Sequence, residues 1–235
     1  MIRPMARLAF ALTAALCFAA PGAAATRSYT VTSFDRVRVD GPYSVQLTTG
    51  RSPFARASGS AQALDGLGLR VEGRTLVIRR NASAWGGYPG HGQEPLEISV
   101  GTHELTAASL NGAGTLLIDK VKGLTFELSA HGAGRAEIGE VQADRLVVAL
   151  SGTVISRVAG KTLKLTAIVR GASSLDASGL AVKDALLSAE GPAQLTAAAS
   201  DTARVDASGT AQVALTGRPA CTLKVLGSST VSGCR

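Results

Sequence analysis

Glu137 and Asp176 are the two carboxylates whose spacing could support acid–base chemistry. Each stands five residues after a recurring glycine, so a regular repeat would place them on one face, two repeats apart. Hydrolysis of a glycosidic bond needs two carboxyl groups about 5 to 9.5 Å apart, and two strand spacings of a sheet amount to about 9.6 Å. Arg157 occupies the intervening repeat, however, and an arginine between two carboxylates favours their ionised forms. No protonated acid is then left for catalysis, so we predict no catalytic residues and interpret this column as a ladder of surface ion pairs.

The histidines do not form a second candidate set of catalytic or metal-binding residues. His131 precedes a recurring glycine by one residue, but the neighbouring repeats place no carboxylate or second histidine beside it, and His91 and His103 lie elsewhere. The sequence therefore predicts no metal site, no pairing of a nucleophile with a base, and no cofactor. In the same column Arg170 and Glu190 occupy adjacent repeats, where we expect an exposed cross-strand ion pair.

Two cysteines near the end of the sequence, Cys221 and Cys234, are expected to form a disulfide. The third cysteine, Cys17, lies in residues 1–25, which have the pattern of a signal peptide that is removed on export. The even pair that remains in an oxidising compartment favours a bridge over free thiols. The bond would close a loop of about 14 residues and could contribute about 3 kcal/mol by the chain-entropy relation. We expect it to hold the last coil of the repeat together.

The segment 81–95 departs in composition from the rest of the chain. It is rich in Gly and Pro and carries Trp85, Tyr88 and His91. Aromatic faces stack on sugar rings, which makes this a candidate ligand loop. The alternative, which we favour, is that its rings fold back over the open N-terminal coils and shield their edges.

A glycine repeat organises the chain and would position all these residues. Residues two, four and six before each glycine, and four and six after it, are nearly always apolar, which is the period of a strand. Each repeat is therefore a strand, a corner at the glycine and a second strand. This pattern predicts one coil of a parallel β-helix with coils of about 18–20 residues. The recurring glycines are Gly112, Gly132, Gly152, Gly171, Gly191, Gly209 and Gly227.

Helix is the main rival for part of this pattern. Residues 181–200 are rich in Ala, Leu and Lys, which favour helix when judged alone. Gly191-Pro192 would break such a helix, and the apolar residues fall on the period-two columns, so we predict strands. Residues 26–100 repeat less cleanly and are expected to form an irregular β part of the same domain, before the regular coils of 101–235. Within this part, Leu69 and Val71 before Gly73, and Leu76 and Ile78 after it, predict one strand–corner–strand unit.

Composition agrees with a single all-β domain that follows a signal peptide. Hydrophobic residues make up 46% of the 235-residue chain and aromatic residues only 4%, so the core must be built from Ala, Val, Leu and Ile. Residues 1–25 have a basic start, an apolar run too short to cross a bilayer, and small residues before Thr26, as signal peptides do. We therefore predict an exported protein, periplasmic or at the cell surface, with a single domain over 26–235 and no transmembrane segment.

Charge argues against a nucleic-acid partner. Without Arg3 and Arg7 the chain keeps 22 basic and 17 acidic side chains, a net charge of +5. The basic residues are scattered, whereas a nucleic-acid binder concentrates them in a stripe with interleaved aromatics. A mild affinity for an anionic envelope polymer remains compatible with this distribution.

The run Phe34-Asp35-Arg36-Val37-Arg38-Val39-Asp40-Gly41, together with Gly73-Arg74-Thr75-Leu76-Val77-Ile78 and the recurring Leu-x-Gly-x-Gly coils, resembles a known exported bacterial family. This family is called putative auto-transporter adhesin, head GIN domain, and the resemblance covers about residues 30–232. It implies a right-handed β-helix and, by the family's name, an adhesive role. The family offers no active-site residues to transfer.

Two classes of function follow. The first is an exported, non-catalytic binding or adhesin-like protein of the cell envelope, whose partner would be a glycan or another envelope polymer. The alternative is a carbohydrate-active β-helix enzyme, a polysaccharide lyase or hydrolase with an unrecognised site. A structural envelope protein without a ligand stays open beside the first class.

Overall fold

The structure is a computed structural model that describes residues 25–81 and 96–235. Nearly all of the predicted signal peptide and the candidate ligand loop with Trp85, Tyr88 and His91 lie outside the described residues. About 75% of the described residues are strand, and stacked parallel coils form a β-solenoid of about six turns. The predicted all-β parallel solenoid is therefore confirmed.

Within residues 25–81 and 96–235, sixteen strands and one short helix follow one another. They are β1 (Ala25–Tyr29), β2 (Arg36–Asp40), β3 (Ser44–Thr49), β4 (Phe54–Gly59), α1 (Ala61–Asp65), β5 (Leu67–Glu72), β6 (Thr75–Arg80), β7 (Glu97–Thr102), β8 (Ala107–Gly112), β9 (Thr115–Gly132), β10 (Arg135–Gly152), β11 (Ile155–Gly171), β12 (Ser174–Gly191), β13 (Gln194–Gly209), β14 (Gln212–Thr216), β15 (Ala220–Val225) and β16 (Thr230–Ser232).

The recurring glycines stack at one corner, as predicted. Gly132 pairs with Gly112 on one side and with Gly152 on the other, in parallel register. Gly152 has φ of 102°, and a Cβ there would lie 2.3 Å from the carbonyl oxygen of Gly132. Any side chain would therefore collide with the coil beneath. The segment 181–189, for which helix was the rival, is strand within β12.

Two faces of the solenoid matter for function. The pre-glycine face consists of the strand segments that lead into the recurring glycines, extended by β2, β5 and β6. The post-glycine face consists of the segments that follow those glycines, extended by β3 and β7. Because side chains alternate along a strand, every second residue on each face points to solvent.

The interior is a continuous apolar stack. Phe126, Leu146 and Leu165 occupy the same inward position of successive coils, and all three are fully buried. Ser156 is an exception in this stack, since it is 1% exposed and lies between Ala136 and Leu175 on the neighbouring coils.

The N-terminal part differs from the coil that the sequence suggested around Gly73. We expected Gly73 to form a corner between two strands of one coil, but β5 and β6 form an antiparallel hairpin that turns there. Gly73 has φ of 62°, the left-handed conformation that the two-residue turn of a hairpin requires. β1, β4 and β7 also pair antiparallel, so they interrupt the parallel ladder at this end. The short α1, whose N-cap is Ser60, was not predicted.

The first corner of the solenoid is held by Asp35. Its Oδ2 lies 2.5 Å from Nη2 of Arg74, and its backbone carbonyl accepts the N–H of Thr106 at 2.7 Å. The carboxylate side chain is 8% exposed, whereas the Arg74 side chain is 71% exposed, so the pair joins segments that are far apart in sequence at the edge of the core.

The last coil of the structure is less buried than its column pattern predicts. Leu223 and Val225 occupy inward positions but are 46% and 40% exposed, because no further coil of the described chain stacks on them. Cys221 and Cys234 form the expected disulfide, with their Cα atoms 5.7 Å apart. The bond ties the start of β15 to the segment after β16.

Candidate functional site

A groove crosses the pre-glycine face at its N-terminal half. Its volume is about 450 Å³, and it is open to solvent along its length. The floor is formed by small outward side chains on β8, β9 and β10. These four residues are Ala107, Ser109, Ser129 and Ala149. We refer to this depression as the groove.

Larger side chains close the N-terminal end of the groove. Arg36 and Arg38 on β2 and Val77 on β6 line that end, where Val77 is outward-facing yet only 6% exposed. Beyond Ala149, the next outward position on β11 is Ile168. The shape of the groove therefore follows from residue size alone, in a row of strands whose backbones lie about 4.8 Å apart.

Charged groups flank the groove floor. Arg38 Nε lies 2.9 Å from Asp40 Oδ2, so this arginine is already paired. Arg36 and Glu127 form no ion pair with any residue in the described ranges, and both line the groove. The register places Ala107 between them, which separates their backbones by two strand spacings or about 9.6 Å. The groove thus presents one cation and one anion that are available to a ligand.

The predicted carboxylate ladder on the post-glycine face is present, but its pairing differs from the prediction. The register aligns Glu137 with Arg157 and Arg157 with Asp176, as expected. Arg157 Nε lies 3.3 Å from Asp176 Oδ2. Glu137 pairs instead with Arg135 of its own strand, at 2.8 Å. The sequence interpretation was wrong here, because it considered only neighbours across strands and Arg135 lies on the same side of the same strand.

The pKa of Asp176 is lowered from its ordinary value. The largest cause is the hydrogen bond that Ser178 Oγ donates to Asp176 Oδ1 at 2.6 Å, followed by the Ser178 backbone N–H at 3.1 Å. Arg157 adds a smaller contribution in the same direction. A carboxylate held ionised in this way is a poor proton donor, so Asp176 is unsuited to be the acid of a glycosidase pair.

His131 has a partner that the column analysis missed. Its Nδ1 lies 2.6 Å from Ser151 Oγ on the next coil, so a histidine and a serine do meet at the glycine corner. The prediction that no nucleophile lies beside a base was wrong in this geometric sense. The corner N–H groups of Ala133 and Thr153 donate to carbonyls of the coil below. They are therefore not available to stabilise an oxyanion, which nucleophilic catalysis would require.

The expected pair of Arg170 and Glu190 is confirmed. Arg170 Nε lies 3.0 Å from Glu190 Oε2, and both side chains are about half exposed. An exposed pair of this kind contributes little to stability.

The parts of the chain that the structure covers contain no group of three or more His, Cys, Asp or Glu side chains that could hold a metal ion. Within residues 25–81 and 96–235 no helix has the length and hydropathy of a membrane span.

The groove itself was not predicted. Its signal was present in the sequence, since the outward position three residues before the glycine is small in the first three coils (Ser109, Ser129 and Ala149) and is Ile168 in the next.

Comparisons with known proteins agree with the β-solenoid fold. The solved structure of a putative adhesin from Bacteroides fragilis has a TM-score of 0.76 and 16% identity, and the alignment covers 91% of this chain and 95% of that one. A putative lipid binding protein from Parabacteroides distasonis has a TM-score of 0.72 and 18% identity, with coverage of 91% and 98%. A putative adhesin from Parabacteroides merdae has a TM-score of 0.71 and 16% identity, with coverage of 91% and 97%. At these identities the likeness shows the fold.

No curated protein matches the sequence. The sequence profile of a family matches residues 33–219, which is well over half of the chain. The match spans the N-terminal strands, the groove and the regular coils, and it agrees with the resemblance noted in the sequence. The chain therefore belongs to the family described as putative auto-transporter adhesin, head GIN domain.

Proposed function

We propose that this protein is an exported, non-catalytic, adhesin-like protein of the cell envelope that binds a glycan or another envelope polymer in the groove. The groove is the observation that carries the proposal. Family membership supports an adhesive role, and the signal-peptide pattern of residues 1–25 supports export.

The dimensions of the groove suit an extended chain better than a compact small molecule. It crosses β6, β2, β8, β9 and β10, which amounts to four strand spacings or about 19 Å along the solenoid axis. Buried ligand pockets enclose most of a small molecule's surface, whereas this groove lies open on a sheet face. An open trough on a sheet face can accept a few units of a polymer whose remaining units stay in solvent.

The chemistry of the groove suits a polar polymer. The hydroxyls of Thr75, Ser109 and Ser129 line it together with Arg36 and Glu127. Hydroxyl and charged groups can donate to and accept from the hydroxyls and acidic groups of a glycan. The short floor side chains let a sugar ring approach the sheet closely.

A blocking substitution tests the groove directly. We expect the protein spanning 26–235 to bind a subset of glycans on an array, and we expect Ser129→Trp to abolish that binding by filling the floor. Ser188→Trp is the matched control, because Ser188 occupies the equivalent outward position outside the groove and is also half-buried. Equal loss in both variants, or binding to phospholipid vesicles in place of glycans, would contradict the proposal.

The same glycan-binding experiment tests the prediction for the loop 81–95. If Trp85 and Tyr88 form a sugar platform, then Trp85→Ala weakens binding even when the groove is intact. If the loop only shields the N-terminal coils, then Trp85→Ala leaves binding unchanged and lowers stability.

The alternative of a carbohydrate-active enzyme remains testable. Its best candidate residues are Glu137 and Asp176, whose ion pairs with Arg135 and Arg157 argue against it. Depolymerisation of a polysaccharide by the wild-type protein that is lost in Glu137→Gln would establish the enzyme and refute the non-catalytic function.

A further inference from the structure

The last coil of the structure has an open β-edge. β15 pairs with β13 and β16 pairs with β14, and no other strand of residues 25–81 and 96–235 pairs with either. The N–H of Leu226 donates to Ala207 at 2.8 Å. Backbone N–H and C=O groups alternate in direction along a strand. Thr222 and Lys224 therefore direct theirs towards β13, as Leu226 does, and we call this set of hydrogen bonds the inner ladder. Leu223 and Val225 direct their N–H and C=O groups to the outer edge.

Apolar surface accompanies these backbone groups. Leu223 and Val225 are inward positions left 46% and 40% exposed, and the adjacent Leu226 is 56% exposed. An exposed strand edge with large hydrophobic residues is a template for a further strand. The opposite end of the solenoid differs, because antiparallel strands and α1 are added there to the parallel coils.

The charge of this end is of one sign. Residues 207–235 contain Arg218, Lys224 and Arg235 and no acidic residue. The nearest carboxylate across the strand from Lys224 is Asp206, which lies 3.9 Å from Arg204 and shares its charge with it. A partner that covers the edge would therefore meet apolar side chains, unpaired backbone groups and positive charge.

We propose that the outer edge of β15 is the docking site of an extended segment of another protein in which apolar and acidic residues alternate. The segment adds one strand to the solenoid. Its backbone pairs with Leu223 and Val225, its apolar side chains cover these two residues, and its carboxylates face Lys224. This is the mode of recognition by β-strand addition, in which main-chain hydrogen bonds supply affinity and alternate side chains supply specificity.

A second copy of the chain is a poorer occupant of the same edge. Two such ends brought together would place Arg218, Lys224 and Arg235 of one copy against the same cations of the other. Like charges across an interface disfavour association. The partner that complements this end is acidic.

Fluorescence anisotropy with two synthetic peptides tests the proposal on the protein spanning 26–235. One is a capped octapeptide of alternating valine and glutamate, and the other carries lysine in place of each glutamate. We expect the acidic peptide to bind, and the lysine peptide to bind about tenfold more weakly or not at all. Leu223→Asn and Val225→Pro should each weaken binding of the acidic peptide about tenfold, since one removes an apolar contact and the other an edge N–H.

Thr222→Asn is the matched control, because Thr222 lies on the same exposed strand but its backbone belongs to the inner ladder. Circular dichroism melting checks that all variants fold. The proposal is overturned if the two peptides bind equally, if neither binds, or if Thr222→Asn weakens binding as much as Leu223→Asn. Concentration-dependent dimerisation in sedimentation that Leu223→Asn abolishes would overturn it in favour of self-association. Loss of glycan binding with peptide binding intact would concern the groove alone.

Discussion

Replacing Ser156 by alanine is expected to stabilise the protein, although it removes a side-chain atom from the core. Ser156 is 1% exposed, and its Oγ has no hydrogen-bond partner among the described residues. A hydroxyl buried in this way has lost its hydrogen bonds to water and has gained none in return. The cost of such an unsatisfied group is about 1–3 kcal/mol.

The change has an opposing contribution from packing. Removing one oxygen forfeits a few van der Waals contacts worth about 0.1–0.2 kcal/mol each. Ala136 and Leu175 flank the position on the neighbouring coils, so the space left is that of a single atom. The net expectation for Ser156→Ala is therefore a gain of about 1 kcal/mol in the free energy of unfolding. For a chain of this length that corresponds to a rise of about 2–4 °C in Tm.

Ser173 provides a control of the same residue type and burial. It is also 1% exposed, but its Oγ accepts the backbone N–H of Val154 at 3.2 Å. Ser173→Ala leaves that N–H without its acceptor and should destabilise by about 1–3 kcal/mol. Urea unfolding of the two variants beside the wild type measures both signs. The reasoning is refuted if Ser156→Ala is destabilising by as much as Ser173→Ala.

Three further outcomes are expected. Gly152→Ala should destabilise the protein by about 3 kcal/mol or more through backbone strain and collision with the coil below. Gly73→Ala, also at positive φ but with open space around the added Cβ, should destabilise it by about 1 kcal/mol. Thermal melts of the two variants compare these effects. Ser178→Ala should raise the pKa of Asp176 towards its ordinary value of about 3.9, as an NMR pH titration would show, because the carboxylate loses its main donor. That lowered pKa makes Asp176 stabilising above pH about 4, a contribution lost as the pH falls through the folded-state pKa and smaller in the variant. Reduction of the C-terminal disulfide should lower the free energy of unfolding by about 3 kcal/mol, and an unchanged urea midpoint would contradict this.

The sequence was sufficient for the regular coils but less so for the N-terminal part. Glycines at intervals of 18 to 20 residues and apolar columns of period two allow one register only, since a slip of one residue would turn every inward side chain outward. Around Gly73 the same strand–glycine–strand pattern describes both a hairpin and a solenoid corner. Only the partner strand distinguishes the two, and that partner is distant in sequence.

The candidate site was likewise only partly predictable from the sequence. The columns correctly predicted that Arg157 would lie beside Asp176 and that Arg170 would pair with Glu190, because parallel in-register stacking places equivalent residues about 4.8 Å apart. The columns could not show that Glu137 pairs with Arg135. Whether a long side chain pairs within its own strand or across strands depends on local geometry, and the spacing of residues along the chain does not specify that geometry.

By itself, the sequence determined which residues face the interior of the solenoid, where the coils turn, and which cysteines could meet. These features depend on local period and on close approach of glycine backbones, and both can be read along the chain. Only the tertiary structure decided that small outward residues of β8, β9 and β10 form one groove and that inward Leu223 and Val225 are exposed at an open edge. Whether a side chain is covered depends on which strands are stacked beside it, and residues of the same pattern differ in burial according to where their coil lies in the stack.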